Sequence, residues 1–370
     1  MKPELRSLYI YLTDECNLSC IHCWQSAPLS ATGKYSRLKY DDCRRFLADT
    51  VAMGLKGITF SGGEPLLNPE FPRFADFFYQ NQVHMAMETN GILISKENIL
   101  ETVKNFGVYC AISLDGVNAG THNRQRGNNG AFKKTIRGLK RLEEAGITFQ
   151  VIMSISRLNF PELIPLMDWV KKELKHCDRF KINIVNNLGR GEALARDGQL
   201  FNAEELPGIG EELAGLVDRY PFQIALHIDP VFISFSNFKL KYTCGGNCGY
   251  ASSLSILANG RVSICSLGKQ VDKYIFGHVA TIDVKDVWEN YPLLKEIHDQ
   301  VHTRLKGICA NCIFRRQCLG SCRALALCVY GDFFAPHPQC QQYFDSGKFP
   351  QNRLINAVIG KDPRIDETRR

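Results

Sequence analysis

Three cysteines lie within eight residues, Cys16-Asn17-Leu18-Ser19-Cys20-Ile21-His22-Cys23, directly after the apolar run Leu8-Tyr9-Ile10-Tyr11-Leu12. The run is aliphatic and aromatic and reads as a short strand, so the cysteines fall on the loop that leaves it. Three thiolates on one loop can hold three irons of a cubane cluster, leaving the fourth iron open to a small molecule. Electron-transfer clusters ordinarily take four cysteines, so a closed triplet points to a catalytic cluster. A zinc knuckle or a set of redox thiols is the competing reading. Zinc needs a fourth ligand nearby, and His22, between two of the cysteines, can hardly join them on one metal.

Downstream the hydrophobic period alternates between two and 3.6. The pattern predicts helices over 41–53, 71–80, 96–106, 132–145 and 161–174, and strands over 57–60, 83–88, 109–113, 149–154 and 180–185. With the first run this makes six strands alternating with helices, an α/β chain built on a parallel sheet with right-handed crossovers. Polar and glycine residues gather where the strands end: Ser61-Gly62-Gly63-Glu64-Pro65, Glu88-Thr89-Asn90-Gly91, Ser113-Leu114-Asp115-Gly116, Ser154-Ile155-Ser156 and Asn186-Asn187-Leu188-Gly189-Arg190. Parallel barrels carry their chemistry at that end. Six units leave the barrel open on one side, wide enough for a large substrate.

The chain holds 15 cysteines among 370 residues, and it has neither an apolar signal core nor an apolar run of membrane-spanning length. That combination predicts a cytoplasmic protein whose clustered cysteines bind metal or do redox chemistry rather than form disulfides. The net charge of +7 is spread along the chain without a basic, aromatic-interleaved block, which argues against nucleic acid as a partner. From Cys244 cysteines become dense: Cys244-x3-Cys248, then a strand pair over 253–257 and 261–265 around Asn259-Gly260, then Cys309-x2-Cys312-x5-Cys318-x3-Cys322 and Cys340. Asn-Gly between alternating runs predicts a type I′ turn. The stretch 223–233 reads as strand-like, with His227 and Asp229 either facing the pocket mouth or satisfied within a linker.

The Cys-x3-Cys-x2-Cys spacing followed by Trp24, with Gly62-Gly63-Glu64-Pro65 behind it, resembles the radical S-adenosylmethionine (SAM) superfamily. The resemblance implies a partial (β/α)6 TIM-like barrel, with Cys16, Cys20 and Cys23 on the SAM cluster and the open iron chelated by SAM. It places Trp24 near the adenine and Gly62, Gly63, Glu64 and Pro65 near SAM's amino group. Ser113 and Arg126 would handle its carboxylate and ribose, and Thr89, Asn90 and Ser154 would also reach it. The second cysteine region, with Gly260-x4-Cys265 and its four-cysteine run, is similar to the SPASM extension of that superfamily; a pair of zinc ribbons is the plainer alternative. By resemblance, Cys244, Cys248, Cys265 and Cys322 hold one auxiliary cluster, with the pattern beginning at Cys244 or Cys248. Cys309, Cys312, Cys318 and Cys340 hold the other, giving three [4Fe-4S] clusters. Cys43, Cys110, Cys177 and Cys328 remain as buried, inert thiols. The expected division is a barrel over 1–225, a bridge over 226–243, the SPASM domain over 244–345 and a tail over 346–370.

The resemblance further implies reductive cleavage of SAM to a 5′-deoxyadenosyl radical, hydrogen abstraction from a ribosomally made peptide, and formation of a carbon–carbon or thioether cross-link. A small-molecule oxidoreductase, such as a haem-type decarboxylase or sugar dehydrogenase, or a peptide epimerase, is the alternative. Anaerobic sulfatase maturases carry an aspartate after the cysteine matching Cys265, whereas this chain has Ser266. The triplet follows the N-terminus closely, so a fused leader-binding domain is not expected. Expected partners are a precursor peptide, an electron donor of flavodoxin or ferredoxin type and a separate leader-binding protein, with no membrane. Glu88, Asp115, Asp229 and Glu192 are the candidate acids or bases.

Overall fold

The computed structural model describes residues 4–235, 237, 243–244, 249–269 and 271–355. In chain order the elements are β1 (Ser7–Thr13), α1 (Tyr40–Ala52), β2 (Gly57–Gly62), α2 (Phe71–Gln80), β3 (His84–Thr89), α3 (Glu97–Asn105), β4 (Tyr109–Ser113), α4 (Ala119–Arg126), α5 (Ala131–Glu144), β5 (Phe149–Ile155), α6 (Leu163–Glu173) and β6 (Cys177–Ile184). There follow α7 (Gly191–Arg196), α8 (Leu206–Ala214), β7 (Gln223–His227), β8 (Thr243–Cys244), β9 (Ser253–Ile256), β10 (Arg261–Ser263), β11 (Ile275–His278), α9 (Val284–Asn290), α10 (Pro292–Arg304), α11 (Gly307–Ala310), α12 (Arg315–Cys318), α13 (Arg323–Tyr330) and α14 (Pro338–Asp345). None of the described helices is long and apolar enough to cross a membrane.

Contacts divide the chain into two compact units: 1–200, 220–223 and 249–299 form one, and 201–219, 224–248 and 300–370 form the other. Residues 249–299 thus keep company with the barrel strands, although they follow Cys244 in sequence.

In the first unit β1 to β6 pair in parallel and in order, as the alternating pattern requires. One face of each strand packs on helices. Leu8, Ile10, Phe60, Met87, Ile112, Val151 and Phe180 are fully buried, and so are Phe46, Phe71, Phe74, Leu139 and Leu166 on the helices. Phe60 meets Phe71 edge-on with ring centroids 5.5 Å apart. Burying each such side chain is worth about 1.5–3 kcal/mol. The alternate residues, Thr59, Ser61, Glu88, Ser113, Gln150, Ser154, Lys181 and Asn183, form the opposite face. Tyr9, Tyr11, Ala86, Ala111 and Ile152 alternate onto the same face, so where closed barrels have a branched apolar filling, this one mixes polar with apolar groups.

The other edge of β1 pairs in parallel with β9, Leu8 opposite Leu254 and Ile10 opposite Ile256, and the sheet continues antiparallel into β10 and β11. The β9–β10 connection is not the expected type I′ turn. Gly260 has φ +79 while Asn259 does not take a positive φ, and Leu257 N–H donates to Arg261 O at 2.8 Å. This is a type I turn closed by a left-handed glycine, the other short hairpin solution.

In the second unit β7 pairs in parallel with β8. The strand stops at His227 because Asp229 opens a 3-10 turn through Pro230, which has no N–H to offer a ladder. Its other described elements are mostly short helices, among them α11 and α12 of four residues each.

Candidate functional site

The loop leaving β1 carries the triplet. Thr13 is fully buried at the strand's end, and its hydroxyl donates to Ser36 O (2.9 Å) and accepts from Glu15 N–H (3.0 Å). Cys16 and Cys20 are buried, and Cys23 packs against them with Leu18, Ala27 and Ala131. Leu18 N–H points at Cys16 Sγ (3.4 Å), and Arg126 Nη1 donates to Cys20 Sγ (3.7 Å). Burial, then the charge of Glu64, pushes the Cys16 thiol up to about 12. Burial also raises Cys20, against the pull of Arg126. Bare, these sulfurs keep their protons, and a metal must displace them. The donor set is sulfur alone, which suits an iron–sulfur cluster. Among the described residues the group whose ligand atoms lie within 4.8 Å of one another, close enough for a single ion, is Asp229, His337 and Cys340, not the triplet.

Two strand-end loops clamp the cysteine loop. After β4, Asp115 is fully buried and meets Arg126 Nη2 at 2.8 Å and His22 Nε2 at 3.5 Å, while its Oδ1 accepts from Ser154 N–H at 2.9 Å. Burial pushes this carboxyl up, yet Arg126, His22 and His122 hold it below its usual range. Arg126 therefore bridges Asp115 and Cys20, next in sequence to Gln125, whose carbonyl accepts from Ile21 N–H at 3.0 Å. After β6, Arg190 donates through Nε to Cys20 O (2.7 Å), through Nη1 to Ala27 O (3.1 Å) and through its peptide N–H to Cys23 O (3.0 Å). Gly189, at φ +57, lies so close that a Cβ would fall 2.5 Å from Trp24 O. Trp24 itself is 44% exposed.

The Gly-Gly-Glu-Pro element locks onto the same loop. Gly63 N–H donates to Thr13 O (2.8 Å) and Glu64 N–H to Glu15 O (2.7 Å), and a Cβ on Gly63 would sit 2.1 Å from Glu15 O. The Glu64 carboxylate, fully buried, accepts from Thr89 Oγ1 (2.6 Å), Asn90 N–H (2.9 Å) and Leu66 N–H (3.3 Å). Burial outweighs these bonds and pushes it up to about 7. Asn90 Nδ2 then donates to Asn17 Oδ1 at 2.7 Å, returning to the cysteine loop. Pro65 is buried beside them, and Ser113 and Ser154 are half-buried. On the inner face of the barrel, Glu88 lies 3.4 Å from both Lys181 Nζ and Ser61 Oγ.

Thus the triplet, Glu64, Thr89, Asn90 and Arg126 converge, and Glu88 is half-exposed on the inner face of the barrel. Asp115 is buried against Arg126, and Asp229 is buried against His337. Sequence reasoning missed His22, Gln125, Lys181 and Arg190. Lys181 had a signal, a cation at an alternate position of the apolar run Phe180-Lys181-Ile182, and Arg190 sat in a strand-end loop already noted.

The second unit holds its own sulfur site. Cys309, Cys312, Cys318 and Cys340 line one cavity together with Asp229 and His337. Two left-handed residues, Leu319 at φ 52 and Ser321 at φ 55, bend the chain between α12 and α13. Arg323 donates to Phe333 O (3.0 Å) and Ala335 O (2.6 Å), fixing the segment that leads to α14 and Cys340. Burial pushes the Cys312 thiol up to about 11 and also raises Cys318 and Cys340 well above the ordinary thiol range. Four soft donors around one cavity fit a cubane. Of the other four-cysteine set, Cys248 and the Cys244 side chain lie outside the described residues, Cys265 belongs to the first unit and Cys322 to the second. Cys43, Cys110 and Cys177 are buried as expected, whereas Cys328 is exposed at the end of α13, where the helix turns its last residues to solvent.

Six parallel strands whose strand-end loops lock a three-thiol loop, in a chain that also has a four-thiol cavity, fit a radical SAM enzyme with an auxiliary iron–sulfur domain. The Radical SAM superfamily model matches residues 10–170, and the SPASM model, an iron-sulfur cluster-binding domain, matches residues 244–313, together more than half of the chain. The chain belongs to the radical SAM superfamily and carries a SPASM domain. AdoMet-dependent heme synthase of Methanosarcina barkeri is 26% identical over 347 residues, 89% of this chain and 94% of the relative. Mycofactocin maturase MftC of Mycobacterium ulcerans is 26% identical over 372 residues, 97% of this chain and 92% of the relative. Streptococcus suis SuiB bound to precursor peptide SuiA superposes with a TM-score of 0.72 at 18% identity, covering 92% of this chain and 76% of that one. At that identity the likeness speaks to the fold.

Proposed function

We propose that this enzyme is a maturase that installs a carbon–carbon or thioether cross-link in a ribosomally synthesised peptide. The observation that carries this reading is the set of polar groups on the inner face of the barrel, where Ser61, Glu88, Ser113, Gln150, Ser154, Lys181 and Asn183 stand among Tyr9, Tyr11, Ala86, Ala111 and Ile152 in place of a wholly branched apolar filling. A peptide backbone offers donors and acceptors to such a wall, whereas a porphyrin calls for a broad apolar one. The full-length similarity to a mycofactocin maturase supports the same reading.

Three [4Fe-4S] clusters and SAM are the proposed cofactors. Cys16, Cys20 and Cys23 would hold the first cluster, Cys309, Cys312, Cys318 and Cys340 another, and Cys244, Cys248, Cys265 and Cys322 the third. When bound, cluster and SAM together supply a carbon radical that removes a substrate hydrogen. The chain's own residues orient the loop: Arg126 and Arg190 fix the cysteines, Glu64 ties the Gly-Gly-Glu-Pro element to Thr89 and Asn90, and Ser113, Ser154 and Trp24 would contact SAM. Glu88 is the acid or base, held by Lys181 and Ser61. A cytoplasmic flavodoxin or ferredoxin would supply electrons, and a separate protein would bind the leader.

Anaerobic co-expression with short peptides encoded beside the gene, read by mass spectrometry, tests the proposal. Loss of two hydrogens is expected. Unchanged mass with deuterium uptake would make the enzyme an epimerase instead. The haem synthase relative, matched over nearly its whole length, favours a second reading in which the substrate is a haem precursor. Carbon dioxide release from that precursor without any peptide would establish the second reading and sink the first.

A further inference from the structure

The four-thiol cavity contains two groups that a four-cysteine cluster does not need. Asp229 and His337 are 7% and 3% exposed, and the carboxylate Oδ2 lies 3.0 Å from His337 Nδ1. The same Oδ2 accepts from Cys340 Sγ at 3.7 Å, and His337's peptide N–H donates to Cys309 Sγ at 3.3 Å. The pair therefore touches two of the four sulfurs, from segments more than a hundred residues apart: Asp229 opens the turn after β7, and His337 caps α14. Removing a carboxylate from water costs several kcal/mol unless it is paired and hydrogen-bonded. His337 and Cys340 supply those partners, and a carboxylate so held beside a ligand sulfur calls for a use.

We propose that Asp229, held in place by His337, is a positioning residue that sets the reduction potential of the cluster in this cavity, its fixed negative charge keeping the potential low. The inference rests on the reading that the four thiols hold a [4Fe-4S] cluster. Adding an electron to a cluster raises its negative charge, and an anion a few ångströms from a ligand sulfur in a poorly solvated pocket opposes that addition. The His337 N–H to Cys309 works in the opposite direction, as hydrogen bonds to cluster sulfur favour the reduced form. A low potential leaves this cluster oxidised while a reductant charges another, so that it stays ready to accept an electron.

The test is a potentiometric titration, followed by electron paramagnetic resonance, on full-length reconstituted protein in which Cys16, Cys20 and Cys23 are replaced by alanine to remove the first cluster's signal. Iron and sulfide are counted in parallel. Asp229→Asn keeps the shape and removes the charge. It should retain its iron and move one midpoint upward so that the reduced-to-oxidised ratio at a fixed potential rises about tenfold, ~59 mV for a one-electron couple. Asp229→Glu, which restores a carboxylate, should move the midpoint back toward the parent. A loaded Asp229→Asn protein with the parent's midpoint overturns the inference. If that variant loads no iron, Asp229→Ser is read in its place. Failure of both to load makes the carboxylate a ligand or a structural requirement, which also overturns it. A parent protein without a signal from this cavity overturns the cluster reading as well, and it is seen before any variant is made.

Discussion

The two sulfur sites solve one problem in opposite ways. The triplet sits on a single loop that the barrel strands hold from several sides: Arg126 and Arg190 reach it, Gly63 and Gly189 press on its backbone, and Asn90 bonds Asn17. The charge nearest its sulfurs is the Arg126 guanidinium. The four-thiol cavity draws its cysteines from α11, the loop after it, α12 and α14, over 309–340, and the charge nearest its sulfurs is the Asp229 carboxylate. A large apolar core shapes the first site before any metal arrives. Four-residue helices cannot shape the second, because a helix of one turn does not recover its nucleation cost. The first is a scaffolded site that receives a cluster; the second is expected to be organised by the cluster it binds.

Metal removal puts this contrast to its largest test. In chelated, iron-free protein, amide hydrogen exchange should stay slow over β1–β6 and become fast over 300–355, whereas the loaded protein protects both. Equal protection of the two regions without iron would erase the distinction. Next in size is Arg126→Ala. It strips the cation from Cys20 and leaves Asp115 buried without its main partner, which costs about 3–5 kcal/mol. Chemical denaturation should show that loss, and iron counting should show the triplet empty with the four-thiol cavity still filled.

The scaffolded site was also the legible one. Its strands came from hydrophobic period, its loops from glycine and polar residues at strand ends, and its cysteines from spacing; all of these are local signals. What escaped were contacts closed by topology: Arg190 reaches Cys20 across 170 residues, and His22, weighed only as a zinc ligand, pairs with Asp115. The second site was legible only in its cysteine spacing. Asp229 lay within the strand-like stretch 223–233, either facing the pocket mouth or satisfied within a linker, and nothing local says that the chain turns at Pro230 and sets the carboxylate beside Cys340. Asn259-Gly260 marked a hairpin correctly and its turn type incorrectly, because a left-handed glycine serves both turn types.

Glu64 offers a pH readout of the scaffold. Its carboxyl is raised from 4.5 to about 7 by burial, so the folded protein binds that proton more tightly than the unfolded chain. The corresponding stability is fully present below pH 4.5 and is lost as pH rises through about 7, a swing of about 3 kcal/mol. Subtracting the denaturation curves of Glu64→Gln from those of the parent, in iron-free protein, should isolate this slope. A difference independent of pH would mean that folding leaves the Glu64 carboxyl at its ordinary value.

The smallest expected effect separates contact from conformation. Gly189 and Gly198 both take a left-handed backbone, at φ +57 and +67, but a Cβ on Gly189 would fall 2.5 Å from Trp24 O while one on Gly198 would meet nothing within 4 Å. Replacing either with alanine costs about 1–2 kcal/mol for forcing a side chain into that conformation. Only Gly189→Ala must also push the cysteine loop away from the segment that carries Arg190. Melting of the iron-free proteins should therefore rank Gly189→Ala below Gly198→Ala, and only the former should bind less iron at the triplet. Equal melting temperatures and equal iron would mean that the loop yields freely. The triplet would then be a site its cluster organises, like the four-thiol cavity.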